Sequence, residues 1–264
     1  MGAVKVCALV VTELPIMTVL SLYQADLQRP DFFRDAAQEN AVRHLQRLYD
    51  DLVRQPQGGS AVLLQKLLGK KPPAPIKGLY FWGGVGRGKT YLVDTFYDAL
   101  PFPQKMRTHF HRFMKRVHDE MKTLSGEKNP LIIIAKRFAA EARVICFDEF
   151  FVSDITDAMI LATLLDELFK NGVCLVATSN IVPDGLYRDG LQRARFLPAI
   201  ELLKQHTEIV NVDSGVDYRL RALEQAELYH WPLDADAELS LEKSFRSLLP
   251  EHCDVQENEA LMIE

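Results

Sequence analysis

The run Gly83-Gly84-Val85-Gly86-Arg87-Gly88-Lys89-Thr90 constrains this 264-residue chain more than any other segment. It fits the spacing Gly-x-x-x-x-Gly-Lys-Ser/Thr, and it stands between an apolar stretch, Leu79 to Trp82, and a helical one, Lys89 to Ala99. Glycines at these places let successive backbone N–H groups curl around phosphate oxygens, while the N-terminus of the following helix adds positive potential. In such a loop Lys89 reaches the β- and γ-phosphates and Thr90 binds Mg²⁺. The expected nucleotide-contacting stretch runs from Gly83 to Tyr91.

On either side the signals alternate. A helix is predicted from Asp35 to Arg54, where Ala41, Leu45, Leu48 and Leu52 recur at helical spacing. Gly58-Gly59-Ser60 breaks that pattern, and Lys70-Lys71-Pro72-Pro73-Ala74-Pro75 reads as a stiff linker. Further strands are predicted at Met106 to Phe110, Arg143 to Phe147, Val173 to Thr178 and Thr207 to Val212. Between them fall helices at His111 to Leu124, Leu131 to Ala142, Asp154 to Lys170 and Phe196 to Gln205. Apolar strands separated by helices describe a parallel sheet covered on both faces.

A phosphate loop needs an acid near the metal. Val144-Ile145-Cys146-Phe147-Asp148-Glu149 supplies one at the end of an apolar strand, so Asp148 is expected to bind Mg²⁺ and Glu149 to act as general base on the attacking water. A second acid in that place suits NTP hydrolysis rather than transfer to a small molecule. The sequence also contains no Asn-Lys-x-Asp guanine-reading segment, so ATP is preferred over GTP. The next strand ends in Ser179-Asn180, on the same sheet edge as the phosphate loop, where Asn180 is expected to orient the water or touch the γ-phosphate. Gly190-Leu191-Gln192-Arg193-Ala194-Arg195 sets two arginines close to a helix start, and two readings stand for either of them: an arginine finger acting across a subunit interface, or a cation on a solvated helix face.

Composition limits the partners. With 31 basic and 36 acidic residues the net charge is -5, which repels nucleic acid phosphates and confines any such contact to a local patch. The stretch Arg107 to Arg116 is the one candidate patch, suiting single-stranded nucleic acid, an extended polypeptide or plain packing. Its His109 and His111, with His118, are read as structural rather than as zinc ligands. Cys7, Cys146, Cys174 and Cys253 form no Cys-x-x-Cys pair and read as small packing residues. The apolar stretch before Leu22 is broken by Glu13 and Pro15, and no segment reaches transmembrane length, so a cytoplasmic protein is expected. Met17 is an alternative natural start.

Taken together, Gly78 to Thr90, His109 to Met114, Cys146 to Phe150, Thr178 to Asn180, Gly190 to Arg193 and Asp213 to Arg219 resemble the ZapE-type cell-division ATPases. The mitochondrial lactation-elevated ATPases are relatives of that family. The resemblance implies an AAA+ core with strand order 5-1-4-3-2, Mg²⁺-dependent ATP hydrolysis and ATP-dependent homo-oligomerisation. It also implies action on the FtsZ ring during constriction, recruitment to the division site near the inner membrane, and a link to membrane-insertion machinery. By the same likeness Lys89 and Thr90 take Walker A roles, Asp148 and Glu149 Walker B roles, Asn180 the first sensor and Arg193 the finger, with Arg219 and Arg221 as second-sensor candidates.

The domain reading is an N-terminal extension of little order at 1–24, a helical segment and linker at 25–76, the ATPase core at 77–222 and a partial C-terminal segment at 223–264. The family runs on past the fifth strand, so an incomplete lid is expected, with one helical patch at Leu239 to Leu249. Two other readings stand beside the first: a nucleic-acid-associated ATPase of helicase-loader type, and a nucleotide-gated binding module with negligible turnover.

Overall fold

The computed structural model describes residues 17–30, 32, 34–55, 75–213 and 239–242. The expectations for residues 1–16, the Gly58-Gly59-Ser60 break, all of the linker except Pro75, Arg219, Arg221, and the helical patch past residue 242 lie outside them. The chain divides into two compact units, Met1–Ser214 and Gly215–Glu264. All elements named below belong to the first.

Two helices precede the sheet. Helix α1, Val19–Asp26, begins at Thr18, whose side chain accepts from the Ser21 amide while Ser21 returns a bond to the Thr18 backbone. This helix crosses the boundary at residue 24, so the expectation of little order up to that point does not hold for its last residues. Val19 and Tyr23 are buried. Helix α2, Ala36–Arg54, starts where Asp35 Oδ1 accepts from the amides of Ala37 and Gln38. Its predicted stripe of Ala41, Leu45, Leu48 and Leu52 is buried throughout.

From residue 78 the strands are β1 Gly78–Trp82, β2 Lys105–His109, β3 Val144–Asp148, β4 Cys174–Ser179 and β5 Thr207–Asn211. They form one parallel sheet of order β2-β3-β4-β1-β5, the expected order read from its other edge. The intervening helices are α3 Lys89–Ala99, α4 Phe110–Thr123, α5 Pro130–Glu141, α6 Ile155–Lys170 and α7 Leu197–His206.

Side-chain alternation in the strands builds two cores. Tyr80, Ile145, Phe147, Leu175 and Ala177 face one, with Phe110, Phe113, Phe138, Leu161 and Leu203 from α4 to α7. Leu79, Phe81, Val144, Cys146, Cys174 and Val176 face the other, with residues of α1, α2 and α3. The edge strands depart from the expectation of strands that are apolar throughout: every residue of β2 is half-buried, as its Lys-Met-Arg-Thr-His sequence allows only at an edge. Helix α4 also starts at Phe110, one residue before the sequence suggests, because that side chain is drawn into the core against Phe147 and Phe150.

Cys146 and Cys174 are free thiols sealed within β3 and β4. Burial pushes both above the ordinary thiol range, Cys174 to about 12. In the native protein at pH 8 these two thiols are therefore expected to resist a water-soluble disulfide reagent and to react fully in denaturant. Rapid modification of either in the native state, located by peptide mapping, would contradict this packing.

Candidate functional site

The parallel register sets the ends of β3, β4 and β1 side by side on one edge. Bonds beyond the strand ends tie them together. Phe150 N donates to Thr178 O at 2.7 Å, Glu149 N to Thr178 Oγ1 at 3.2 Å, and Ser179 Oγ to Phe150 O at 2.8 Å. Tyr80, from within β1, donates its hydroxyl to Ile181 O at 2.8 Å, anchoring the segment after Asn180.

The glycine loop follows β1. Gly86 and Gly88 have φ of 75° and 74°, left-handed values that suit glycine, and Gly88 caps α3. Lys89 Nζ bends back over the loop and donates to Gly83 O and Gly84 O, each at 2.7 Å, and to Asn180 Oδ1 at 2.9 Å. The predicted lysine and the predicted asparagine, 91 residues apart in sequence, are thus in direct contact.

Asp148 is buried at the end of β3. Arg107, on the neighbouring strand β2, grips it as a fork: Nε donates to Oδ2 at 2.8 Å and Nη2 to Oδ1 at 3.4 Å. Arg107 also pairs with Asp94 of α3 through Nη1. Glu149 is exposed and holds φ at 53°, a left-handed backbone uncommon for a residue with a side chain.

Asp213 was not among the predicted site residues. The β1–β5 ladder continues past β5 through Val212 N to Trp82 O, and Asn211 Oδ1 accepts from the Asp213 amide. Asp213 therefore lands on the glycine loop, where its Oδ2 accepts from Gly84 N at 3.3 Å. Arg87 Nε is 3.0 Å from its other oxygen, but no N–H points along that line, so the contact is an ion pair rather than an aligned hydrogen bond.

Gln38, also unpredicted, lies against the loop at Gly88. A Cβ at Gly88 would stand 2.5 Å from its Nε2. The sequence carried a signal for it, since position 38 extends the buried stripe of α2 one turn toward its N-terminus, and a polar residue on such a stripe needs an explanation. Arg107 carried none, because pairing across strands is a matter of register.

Other predicted residues turn elsewhere. The Tyr91 hydroxyl donates to Asp26 of α1 at 2.6 Å, and its ring packs 5.1 Å from Phe32. Arg193 Nη2 donates to Asp184 O at 2.6 Å, within its own loop, and Arg195 bonds Gln192. His118 is engaged with Asp157 at 2.6 Å, away from the stacked pair His109 and His111. In the basic stretch, Arg107, Lys115 and Arg116 all face carboxylates of this chain.

Residues 17–264 match the model of the AFG1-like ATPase family, and the chain belongs to that family. It is 51% identical over 240 residues to the cell division protein ZapE of Escherichia coli K12, a match covering 88% of this chain and 64% of that protein. It is 41% identical over 204 residues to lactation elevated protein 1 homolog B of Danio rerio, covering 73% of this chain and 41% of that one. The chain thus spans less than two thirds of the length of these relatives. Among solved structures, AMPPCP-bound DnaA from Aquifex aeolicus superposes with a TM-score of 0.50 at 12% identity, over 88% of this chain and 65% of that one, a likeness of fold.

The close approach at Gly88 sets a test. Gly88→Ala combines a left-handed φ with a methyl driven into Gln38, and is expected to lower stability by about 1–3 kcal/mol in urea unfolding. Gly126→Ala, with φ of 103° and open space around it, carries only the backbone penalty. Equal losses for the two variants would deny the Gln38 contact.

Proposed function

We propose that this chain binds ATP with Mg²⁺ and hydrolyses its terminal phosphoanhydride bond, as the ATPase core of a cell-division protein that acts on the FtsZ ring. The observation that carries this reading is the contact of Lys89 with both the loop carbonyls and Asn180, on the edge where Asp148 and Glu149 also end. The cell-division role rests on the identity to ZapE, and the FtsZ ring on the family resemblance.

The residues suit the nucleotide. The Gly84 amide already donates to an anionic partner, the Asp213 carboxylate, in the place where a phosphate oxygen would compete for it. Lys89 can exchange carbonyl partners for phosphate oxygens without losing hydrogen bonds. Thr90 and the Asp148 carboxylate form an oxygen donor set suited to Mg²⁺, and Asp148 is held in place by Arg107. When bound, Mg²⁺ neutralises charge on the β- and γ-phosphate oxygens.

Glu149 takes the proton of the attacking water. Its exposed carboxylate, on a left-handed backbone turn beside the buried Asp148, separates the base from the metal-binding acid. Asn180, fixed through Lys89, orients the water or the γ-phosphate. Arg193 serves as finger only after leaving Asp184 O, a release that docking of a second copy would drive in an ATP-dependent homo-oligomer. The protein works in the cytoplasm at the division site, with membrane-insertion machinery as a further partner. Among the described residues no helix is long and apolar enough to cross a membrane. The intramolecular pairing of Arg107, Lys115 and Arg116 does not favour a helicase-loader role.

Lys89→Ala is expected to abolish ATP binding, and retained affinity by equilibrium titration would sink the phosphate-loop reading. Glu149→Gln should keep ATP affinity while turnover falls by about 10² to 10⁴, measured as phosphate release. For the shared site, turnover per subunit should rise steeply with protein concentration and with added FtsZ. A flat profile would point to a self-sufficient monomer.

A further inference from the structure

The mechanism leaves Gln38 unused, yet its surroundings are unusual for a packing residue. Asp35 holds the first turn of α2 by accepting from the Gln38 amide at 3.1 Å, so the backbone at this position is fixed. The residue is only 4% exposed, and its Oε1 is buried with no hydrogen-bond partner. Its amide end rests against Gly88, the glycine that opens α3. Helices α1 and α3 are locked together beside it by the Tyr91 to Asp26 bond and the Tyr23, Phe32 and Tyr91 rings.

A buried carboxamide with an unused acceptor carries a desolvation cost that leucine or methionine would avoid. Ala41, Leu45 and Leu48 continue the same stripe without polar atoms, so apolar packing is available to this face. The polar side chain is accounted for if a donor arrives with a ligand. Because Gly88 belongs to the phosphate loop, a group touching it lies within one nucleotide's reach of the bound phosphates.

We propose that Gln38 reads the base of the nucleotide and selects adenine over guanine; this rests on the phosphate-loop reading of the site. A carboxamide presents one acceptor and one donor side by side. Adenine matches it with its 6-amino donor and N7 acceptor, whereas guanine offers two acceptors, O6 and N7, and leaves Oε1 unpaired against a carbonyl. Either orientation of the amide keeps one donor and one acceptor, so the pairing depends on the residue type at this position.

The test is equilibrium competition against a fluorescent ATP analogue, using the full chain and Mg²⁺. In the unaltered protein ITP and GTP, both 6-oxo, should bind roughly 10- to 100-fold more weakly than ATP, and 7-deaza-ATP should also lose affinity. In Gln38→Leu and Gln38→Met the ATP advantage over ITP should collapse to near one, through weaker ATP binding with ITP affinity kept. Both triphosphates share the same phosphates, so the ratio within one variant is insensitive to partial misfolding, and the unaltered protein needs no variant at all. Lys89-dependent binding with equal affinity for ATP and ITP, or an unchanged ratio in both variants, would overturn the role of Gln38 alone. Binding of no triphosphate would overturn the phosphate-loop reading and this proposal with it.

Discussion

The parallel hydrogen-bonded register of β3, β4 and β1 is the constraint on which the site depends. Because the three strands run in one direction, their C-terminal ends meet on one edge, and whatever follows each strand is delivered there. The glycine loop follows β1, Asp148 and Glu149 close β3, and Asn180 follows β4. The tie from Phe150 N to Thr178 O and the Tyr80 bond to Ile181 O extend the order of the sheet past its last ladder bonds. A slip of one residue in β3 or β1 would turn Asp148 or Tyr80, respectively, to the opposite face of the sheet.

On that edge the charges satisfy one another. Lys89 is bonded to carbonyls and to Asn180, Asp148 to Arg107, and Asp213 to the Gly84 amide and the Arg87 cation. A site that collects three cations and two acids without pairing them would carry a heavy desolvation cost. Here three of these groups meet partners of complementary character: carbonyls stand opposite Lys89, a guanidinium opposite Asp148, and a carboxylate opposite the Gly84 amide. Ligand binding then becomes an exchange of partners, which is energetically closer to balance than filling an unpaired site.

The N-terminal helices are part of this arrangement. Helix α2 brings Gln38 against Gly88, and α1 holds α3 through Asp26 and Tyr91. Both helices share a core with one face of the sheet, so the phosphate loop is braced by residues that precede it by some 50 positions in a sequence of 264.

The sequence by itself determined the fold class, the strand order through its family resemblance, and the positions of the glycine loop after β1 and of Asp148-Glu149 at the end of β3. These are legible because they depend on short-range rules: glycines for left-handed turns, alternating apolar runs for strands, and acids placed at a strand end. It also placed Lys89 and Asn180 on one edge, since parallel strands force that result. Only the tertiary structure decided that Arg107 grips Asp148, that Asp213 seats on the glycine loop, that Arg193 bonds within its own loop, and that Gln38 backs Gly88. Each of these joins residues through cross-strand register or the packing of separate helices. Such contacts are set by the geometry of the assembled layers: helical periodicity marks position 38 as buried, but nothing along the chain records which residue any of these groups meets.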